Sequence, residues 1–218
     1  MSYNAIIFDL DGTLLNTLED LADSTNRVLQ SQGFPPHPVD AYRYFVGNGA
    51  RKLIERVLPD KQCNEETIVR CLELFREDYG QNWNVKTKIY EGVSEMLHTL
   101  QDRRLKLSIL SNKPHEFTVH CVESLLPDWH FDFVFGQREQ IPPKPDPAGA
   151  LDILERLGIS QAECLYVGDT ATDMQTAVTA NLYPVGVLWG FREREELVEA
   201  GAKVLLEHPK ELITLLEV

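Results

Sequence analysis

The chain of 218 residues has no surplus of positive charge: 21 Lys and Arg stand against 34 Asp and Glu, a formal net charge of -13. A surface this acidic cannot displace the counterions of a nucleic-acid backbone, which excludes a phosphate-backbone binder. Long apolar runs are also missing. The longest charge-free stretch, Met174 to Phe191, is interrupted by Gln175, two Thr, Asn181 and Pro184, so no spanning helix is expected. Near the N-terminus, Asp9 and Asp11 occupy the place where a secretory leader needs an apolar run, and a cytoplasmic protein is expected. The four cysteines (63, 71, 121 and 164) have no C-x-x-C spacing, so reduced, mostly buried thiols are expected instead of a disulfide or zinc framework. His115 and His120, five apart, do not share a helical face, and the six histidines make no metal set. Neither G-x-x-x-x-G-K-[ST] nor G-x-S-x-G occurs, which disfavours an ATP-binding P-loop and a serine hydrolase.

What is present is an ordinary globular composition, 43% hydrophobic and 25% charged, able to bury a core. Short apolar runs, Ala5 to Phe8, Leu105 to Leu110, Phe131 to Phe135, Cys164 to Val167 and Pro184 to Leu188, alternate with helical patterns. One such pattern is Val93, Met96, Leu97 and Leu100, and another is read from Leu151, Leu154, Glu155 and Gly158. Strands of this kind are covered on both faces, which predicts an α/β fold: a doubly wound, Rossmann-like parallel sheet. The interval after the first strand breaks the pattern. It reads as helices only, Leu18 to Gln30, Ala41 to Leu58 and Glu65 to Tyr79, with a break at Gly33-Phe34-Pro35-Pro36. The expected organisation is therefore a core of residues 1–16 and 86–218 with a small helical cap of residues 17–85 inserted after strand one. The cap is expected over the carboxyl edge of the sheet, where open α/β folds bind ligands.

Polar residues fall at those carboxyl ends. Asp9 and Asp11 follow the first run, Ser111 and Asn112 the second, and Asp169 the fourth, with Lys144 and Asp173 nearby. In extended chain Asp9 and Asp11 lie on one side, and Asp169 and Asp173, four apart, share a face of a starting helix. Gly12 permits a tight turn whose amides, with Thr13, face an anion. Gathering four carboxylates is unfavourable without a cation, and Mg²⁺ suits such oxygen donors together with a phosphate. Aspartate can attack phosphorus to give an aspartyl-phosphate. Asp9 is the expected nucleophile and Asp11 the general acid, then base. Ser111 and Lys144 are expected to hold the transferring phosphoryl oxygens, because such transfer is mostly positioning and electrostatics. Gly47-Asn48-Gly49 is either a helix break or a backbone nest for a substrate carboxylate, with Arg51 as its candidate partner. Trp189 and Phe191 are either core aromatics or walls of the site.

At these residues the chain resembles the haloacid dehalogenase-like hydrolase superfamily. The resemblance rests on Asp9-Leu10-Asp11-Gly12-Thr13-Leu14, Ser111-Asn112, Lys144-Pro145-Asp146-Pro147, and Gly168-Asp169 with Asp173. Within it, Val46-Gly47-Asn48-Gly49-Ala50, Ser111-Asn112-Lys113-Pro114 and Leu188-Trp189-Gly190-Phe191-Arg192 are most similar to phosphoglycolate phosphatases. Asn16-Thr17 departs from the Asp-Ser of many relatives. The resemblance implies Mg²⁺ held by Asp9, the Asp11 carbonyl and Asp169, with Asp173 assisting. It implies a phosphomonoesterase acting on a small phosphorylated acid. From charge and the lack of apolar runs neither nucleic acid nor membrane is expected as a partner, and either a monomer or a homodimer is expected. A β-phosphoglucomutase-type phosphomutase and a pyrophosphatase or nucleotidase share these motifs and stay open. A phosphoacceptor signalling domain is disfavoured by Asp11 and the helical insert.

Overall fold

In the computed structural model, which describes residues 3–217, the elements run in chain order as follows. The first part holds β1 (Ala5–Phe8), β2 (Leu15–Asn16), α1 (Leu18–Ser31), α2 (Tyr42–Phe45), α3 (Ala50–Val57), α4 (Glu65–Asn82) and β3 (Lys88–Ile89). The second holds α5 (Val93–Asp102), β4 (Lys106–Pro114), α6 (His115–Leu125), β5 (Phe133–Gln137), α7 (Ala148–Leu157), β6 (Cys164–Gly168), α8 (Ala171–Thr179), β7 (Tyr183–Val187), α9 (Arg194–Glu199), β8 (Val204–Leu206) and α10 (Glu211–Leu215). By its contacts the chain divides into two units, one made of the segment ending at Leu15 and the segment from Ile89 onward, the other spanning Asn16–Lys88.

The first unit is built on a parallel six-stranded sheet of order β5-β4-β1-β6-β7-β8. Every side chain of β1 is fully buried, and successive residues of a strand point to opposite faces, so both faces of the sheet are covered. Ala5 and Ile7 join a cluster with Ala150, Ile153 and Leu154 of α7 and Ala177 of α8. Burial on both faces is why these strands read as continuous apolar runs. Phe8 pairs with Ile109 of β4 on one side and Val167 of β6 on the other. The strand order reverses around β1, so its carboxyl end is the switch point at which open α/β sheets leave a crevice.

The sequence patterns are corrected in several places. The sheet gains β8, a three-residue strand whose apolar run is too short to stand out, and the third strand lies two residues later than expected. The face of α7 is set by Ala150, Ile153 and Leu154, with Glu155 exposed. Gly158 belongs to no helical face: it ends α7 in the left-handed conformation at φ 66°. The helix expected from Ala41 to Leu58 is broken into α2 and α3 because Gly47 and Gly49 adopt φ 114° and 85°.

In the helical unit, α1 and α4 pack together, and Asn64 caps α4 by accepting the Thr67 N–H at 3.0 Å. The buried Asp20 carboxylate accepts the N–H groups of Lys86 and Thr87 and the Thr87 hydroxyl, which ties the start of α1 to the end of the unit. Tyr42, fully buried, donates its hydroxyl to Asn26 at 2.8 Å. No helix among the described residues is long and apolar enough to cross a membrane.

Arg27 of α1 grips Asp78 of α4 through Nε and Nη2, and these bonds hold the Asp78 carboxyl below its ordinary range. A carboxylate lowered in the folded state stabilises above its unfolded value and loses that contribution as pH falls through the lowered one. Asp78→Asn is therefore expected to cost about 0.2–1 kcal/mol at pH 6, the range for partly exposed ion pairs. The difference from wild type should shrink between pH 6 and pH ~3, below the ordinary aspartate value. Urea unfolding of both proteins at the two pH values checks this.

Candidate active site

The first strand ends at Phe8, and the chain then bends at Leu10 and turns back so that Asp11 bridges Leu15. Asp9 and Asp11 are thus not on one extended face. Each reaches a different lysine. Asp9, its N–H bonded to the Val167 carbonyl of β6, meets the Lys144 ammonium at 2.8 Å. Asp11 is held by the Lys113 ammonium at 2.8 and 3.0 Å, through both carboxylate oxygens.

Asp169 and Asp173 also converge, though not by helical spacing. Asp169 lies before α8, and Thr170, extended at φ −128°, is the N-cap. Asp173 closes a capping box on it: its Oδ2 accepts the Thr170 N–H at 3.1 Å and the Thr170 hydroxyl at 2.6 Å. Its Oδ1 accepts the Lys144 ammonium at 2.7 Å. Asp169 accepts the Thr13 hydroxyl at 3.1 Å on Oδ1 and the Phe191 N–H at 2.8 Å on Oδ2. It sits in a slot between two glycines. A Cβ on Gly12, which has φ +88°, would lie 2.2 Å from Asp169 Oδ2, and one on Gly190 would lie 2.3 Å from Asp169 Cβ. No other residue type allows this approach.

Asp9, Asp169 and Asp173 bring one carboxylate oxygen each within 4.8 Å of one another, all buried. Burial, then Asp173, pushes the Asp9 carboxyl well above its ordinary range despite Lys144. Burial and the neighbouring Asp173 carry Asp169 up to about 7. For Lys144, burial alone would lower the ammonium, but the Asp173 and Asp9 charges outweigh it and hold it well above its usual value. Three buried carboxylates, two of them sharing the Lys144 ammonium, gather an excess of negative charge at one point. Hard oxygen donors with that excess fit a divalent cation such as Mg²⁺.

Asn112 clamps Lys144 at the main chain, its Nδ2 donating to the Lys144 carbonyl at 3.0 Å and its Oδ1 accepting the Lys144 N–H at 2.8 Å. Ser111 is buried, and its Oγ accepts the Lys113 N–H at 3.2 Å. Trp189 donates its indole N–H to the Thr13 carbonyl at 2.9 Å, and Phe191, buried, supplies the backbone N–H that holds Asp169. The sheet edge thus brings together Asp9, Asp11, Gly12, Thr13, Ser111, Asn112, Lys144, Asp169 and Asp173. Gly47, Asn48, Gly49 and Arg51 lie in the helical unit. There Asn48 accepts from Arg56 at 2.7 Å, and the exposed Arg51 pairs with Glu55 and Glu65. Sequence reasoning gave no role to Lys113 itself; the available signal was a lysine two residues past Ser111, on the strand beside β1.

Lys144→Met removes the one cation between Asp9 and Asp173, and breaking a buried pair this way costs about 3–5 kcal/mol. Adding Asp9→Asn removes one of the stranded charges and is expected to recover part of the loss. Denaturant unfolding of the single and double variants, without added metal, measures both.

Residues 6–187 match the family model described as haloacid dehalogenase-like hydrolase. A phosphoglycolate phosphatase of Psychrobacter arcticus is 33% identical over 205 residues, covering 90% of this chain and 88% of that one. One from Colwellia psychrerythraea is 30% identical over 213 residues, covering 95% and 94%. A solved structure from Lactobacillus delbrueckii subsp. bulgaricus superimposes with a TM-score of 0.93 at 29% identity, covering 99% of each chain. With the family model spanning most of the chain and relatives of this likeness along nearly all of it, the chain belongs to the haloacid dehalogenase-like hydrolases.

Proposed function

We propose that the protein is a Mg²⁺-dependent phosphomonoesterase that hydrolyses a small phosphorylated acid, 2-phosphoglycolate first, through an aspartyl-phosphate. The observation that carries the reading is the buried Asp9–Lys144–Asp173 chain beside Asp169 at the switch point of the sheet. The relatives named phosphoglycolate phosphatase support the choice of substrate.

Asp9 is the nucleophile: one of its carboxylate oxygens attacks phosphorus, the ester oxygen departs, and the phosphoryl group is left on Asp9. Asp11 gives the departing oxygen a proton, then takes one from the water that cleaves the acyl phosphate. Lys144 and the Ser111 hydroxyl meet phosphoryl oxygens, and Lys144 offsets the negative charge that would repel the ester. Asn112 acts through Lys144, fixing its main chain at both ends. Thr13 and the Phe191 N–H orient Asp169 from two sides. Asp9, Asp169, Asp173 and the Asp11 carbonyl are the groups that would hold Mg²⁺, which when bound supplies charge neutralisation to the phosphoryl oxygens. The helical unit is the cap in this reading.

Phosphate release is measured from 2-phosphoglycolate, β-glucose-1-phosphate, pyrophosphate and a nucleoside monophosphate, with and without Mg²⁺. Mg²⁺-dependent preference for 2-phosphoglycolate is expected, and Asp9→Asn should cut kcat by at least about a thousandfold, or ~4 kcal/mol of barrier. Isomerisation of the sugar phosphate without phosphate release would replace the hydrolase by a mutase. An Asp9→Asn protein that keeps most of its turnover would remove Asp9 as nucleophile.

A further inference from the structure

Lys113 is a second buried lysine at the sheet edge, 8% exposed. Its main chain is fixed on both sides: the N–H donates to Ser111 Oγ at 3.2 Å, and the carbonyl accepts the Thr118 hydroxyl at 3.1 Å. Gly136 closes over that carbonyl so tightly that a Cβ there would lie 2.5 Å from it. The side chain is directed as well. Its ammonium lies 5.5 Å from the Phe117 ring centroid and takes both oxygens of Asp11. This is more ordering than a surface lysine needs to neutralise a carboxylate. It is the arrangement of a cation held at a fixed point.

That point has a chemical meaning, which rests on the reading of Asp11 as the acid for the leaving oxygen. To act, Asp11 must come within about 2.6–3.2 Å of that oxygen. In a phosphorylated 2-hydroxy acid the carboxyl carbon is two bonds from the same oxygen, so a carboxylate oxygen lies roughly 3–4 Å from it by ordinary bond lengths. A cation touching Asp11 is therefore in reach of the substrate's carboxylate, whereas a plain alkyl ester offers only an uncharged methyl group at that place. The bidentate hold on Asp11 also occupies the oxygens that Asp11 needs for the proton transfer. A second carboxylate arriving at Lys113 competes for the ammonium and releases one of them.

We propose that Lys113 is the specificity-determining cation of this site: it receives the carboxylate of a short phosphorylated 2-hydroxy acid and, in exchange, gives up Asp11. Phe117 keeps the ammonium in place during the exchange, and the substrate's carboxylate takes the place of Asp11 in the pair, leaving Asp11 beside the leaving oxygen. Selectivity for acids then arises inside the α/β unit, next to the leaving oxygen, where an ester without the carboxylate leaves Asp11 locked.

Wild type, Lys113→Met and Lys113→Arg are compared on 2-phosphoglycolate and on ethyl phosphate, which carries a methyl group where the acid has its carboxylate. Lys113→Met is expected to lower the preference for the acid, as a ratio of kcat/KM values, on the order of thirtyfold or more, the loss expected for a deleted buried charge contact. The loss falls on KM for the acid, and Lys113→Arg recovers part of it. A Lys113→Met protein that loses both esters by one factor, or a wild type that does not prefer the acid, overturns the proposal. Binding gives an independent reading in Asp9→Asn, where turnover is blocked. Calorimetry should show 2-phosphoglycolate binding at least about tenfold tighter than ethyl phosphate, or ~1.4 kcal/mol. Adding Lys113→Met should erase the difference; equal affinities in Asp9→Asn alone overturn the proposal even where Lys113→Met does not fold. Wild type that releases phosphate from no ester, with this selective binding intact, would overturn the hydrolase reading and leave the Lys113 assignment standing.

Discussion

The structure of the α/β unit is organised around one electrostatic constraint, three buried carboxylates lying close together, two of which share the ammonium of Lys144. Ionised groups removed from water are tolerated only when paired and hydrogen-bonded, and the neighbouring elements supply those bonds. Thr170 and the start of α8 take one oxygen of Asp173. Thr13 and the Phe191 amide take Asp169. The Asn112 amide spans the Lys144 main chain, so the one cation cannot drift away from the two acids it serves. The glycines beside Asp169 are the steric side of the same constraint, because only backbone without a Cβ comes this close to a carboxylate.

The two lysines divide the work of the edge. Lys144 is shared between Asp9 and Asp173, so neither carboxylate holds it alone, and the excess negative charge beside it suits a divalent cation. Lys113 takes both oxygens of Asp11. In the proposed function one lysine meets the phosphoryl group and the other the substrate's carboxylate. β4 carries Lys113 and, through Asn112, fixes Lys144, so a single strand next to β1 governs both cations.

The helical unit is held by its own polar ties, independent of the sheet. Asp20 closes the unit at its base by accepting from residues 86 and 87, and the Asn26–Tyr42 bond pins the short α2 against α1. Arg51 is spent on Glu55 and Glu65 in this arrangement, whereas the two left-handed glycines of the 47–49 loop leave a break in the helices that no other residue type would make as readily.

The alternation of apolar strands with helices follows from burial on both faces of a parallel sheet, and for that reason β1, β4, β5, β6 and β7 were legible in the sequence. The two-residue β2 and β3, which form a sheet of their own, were not. The meeting of Asp9, Asp169 and Ser111 was legible too, because strand ends of such a sheet must converge. Local spacing misled where it stood in for tertiary placement. Asp169 and Asp173 meet across a cap and not along a helix, Asp9 and Asp11 face different lysines because the chain bends at Leu10, and Gly158 ends α7 instead of lining it. The three-residue β8 escaped because its pairing with β7, and not its composition, makes it a strand. Covalent order and apolar periodicity determine which residues arrive at the edge, since these act within one element. Which ammonium pairs with which carboxylate was decided only by the tertiary structure, because an ion pair is fixed by distance and desolvation across elements as remote as Asp11 and Lys113, and nothing in the linear chain encodes that distance.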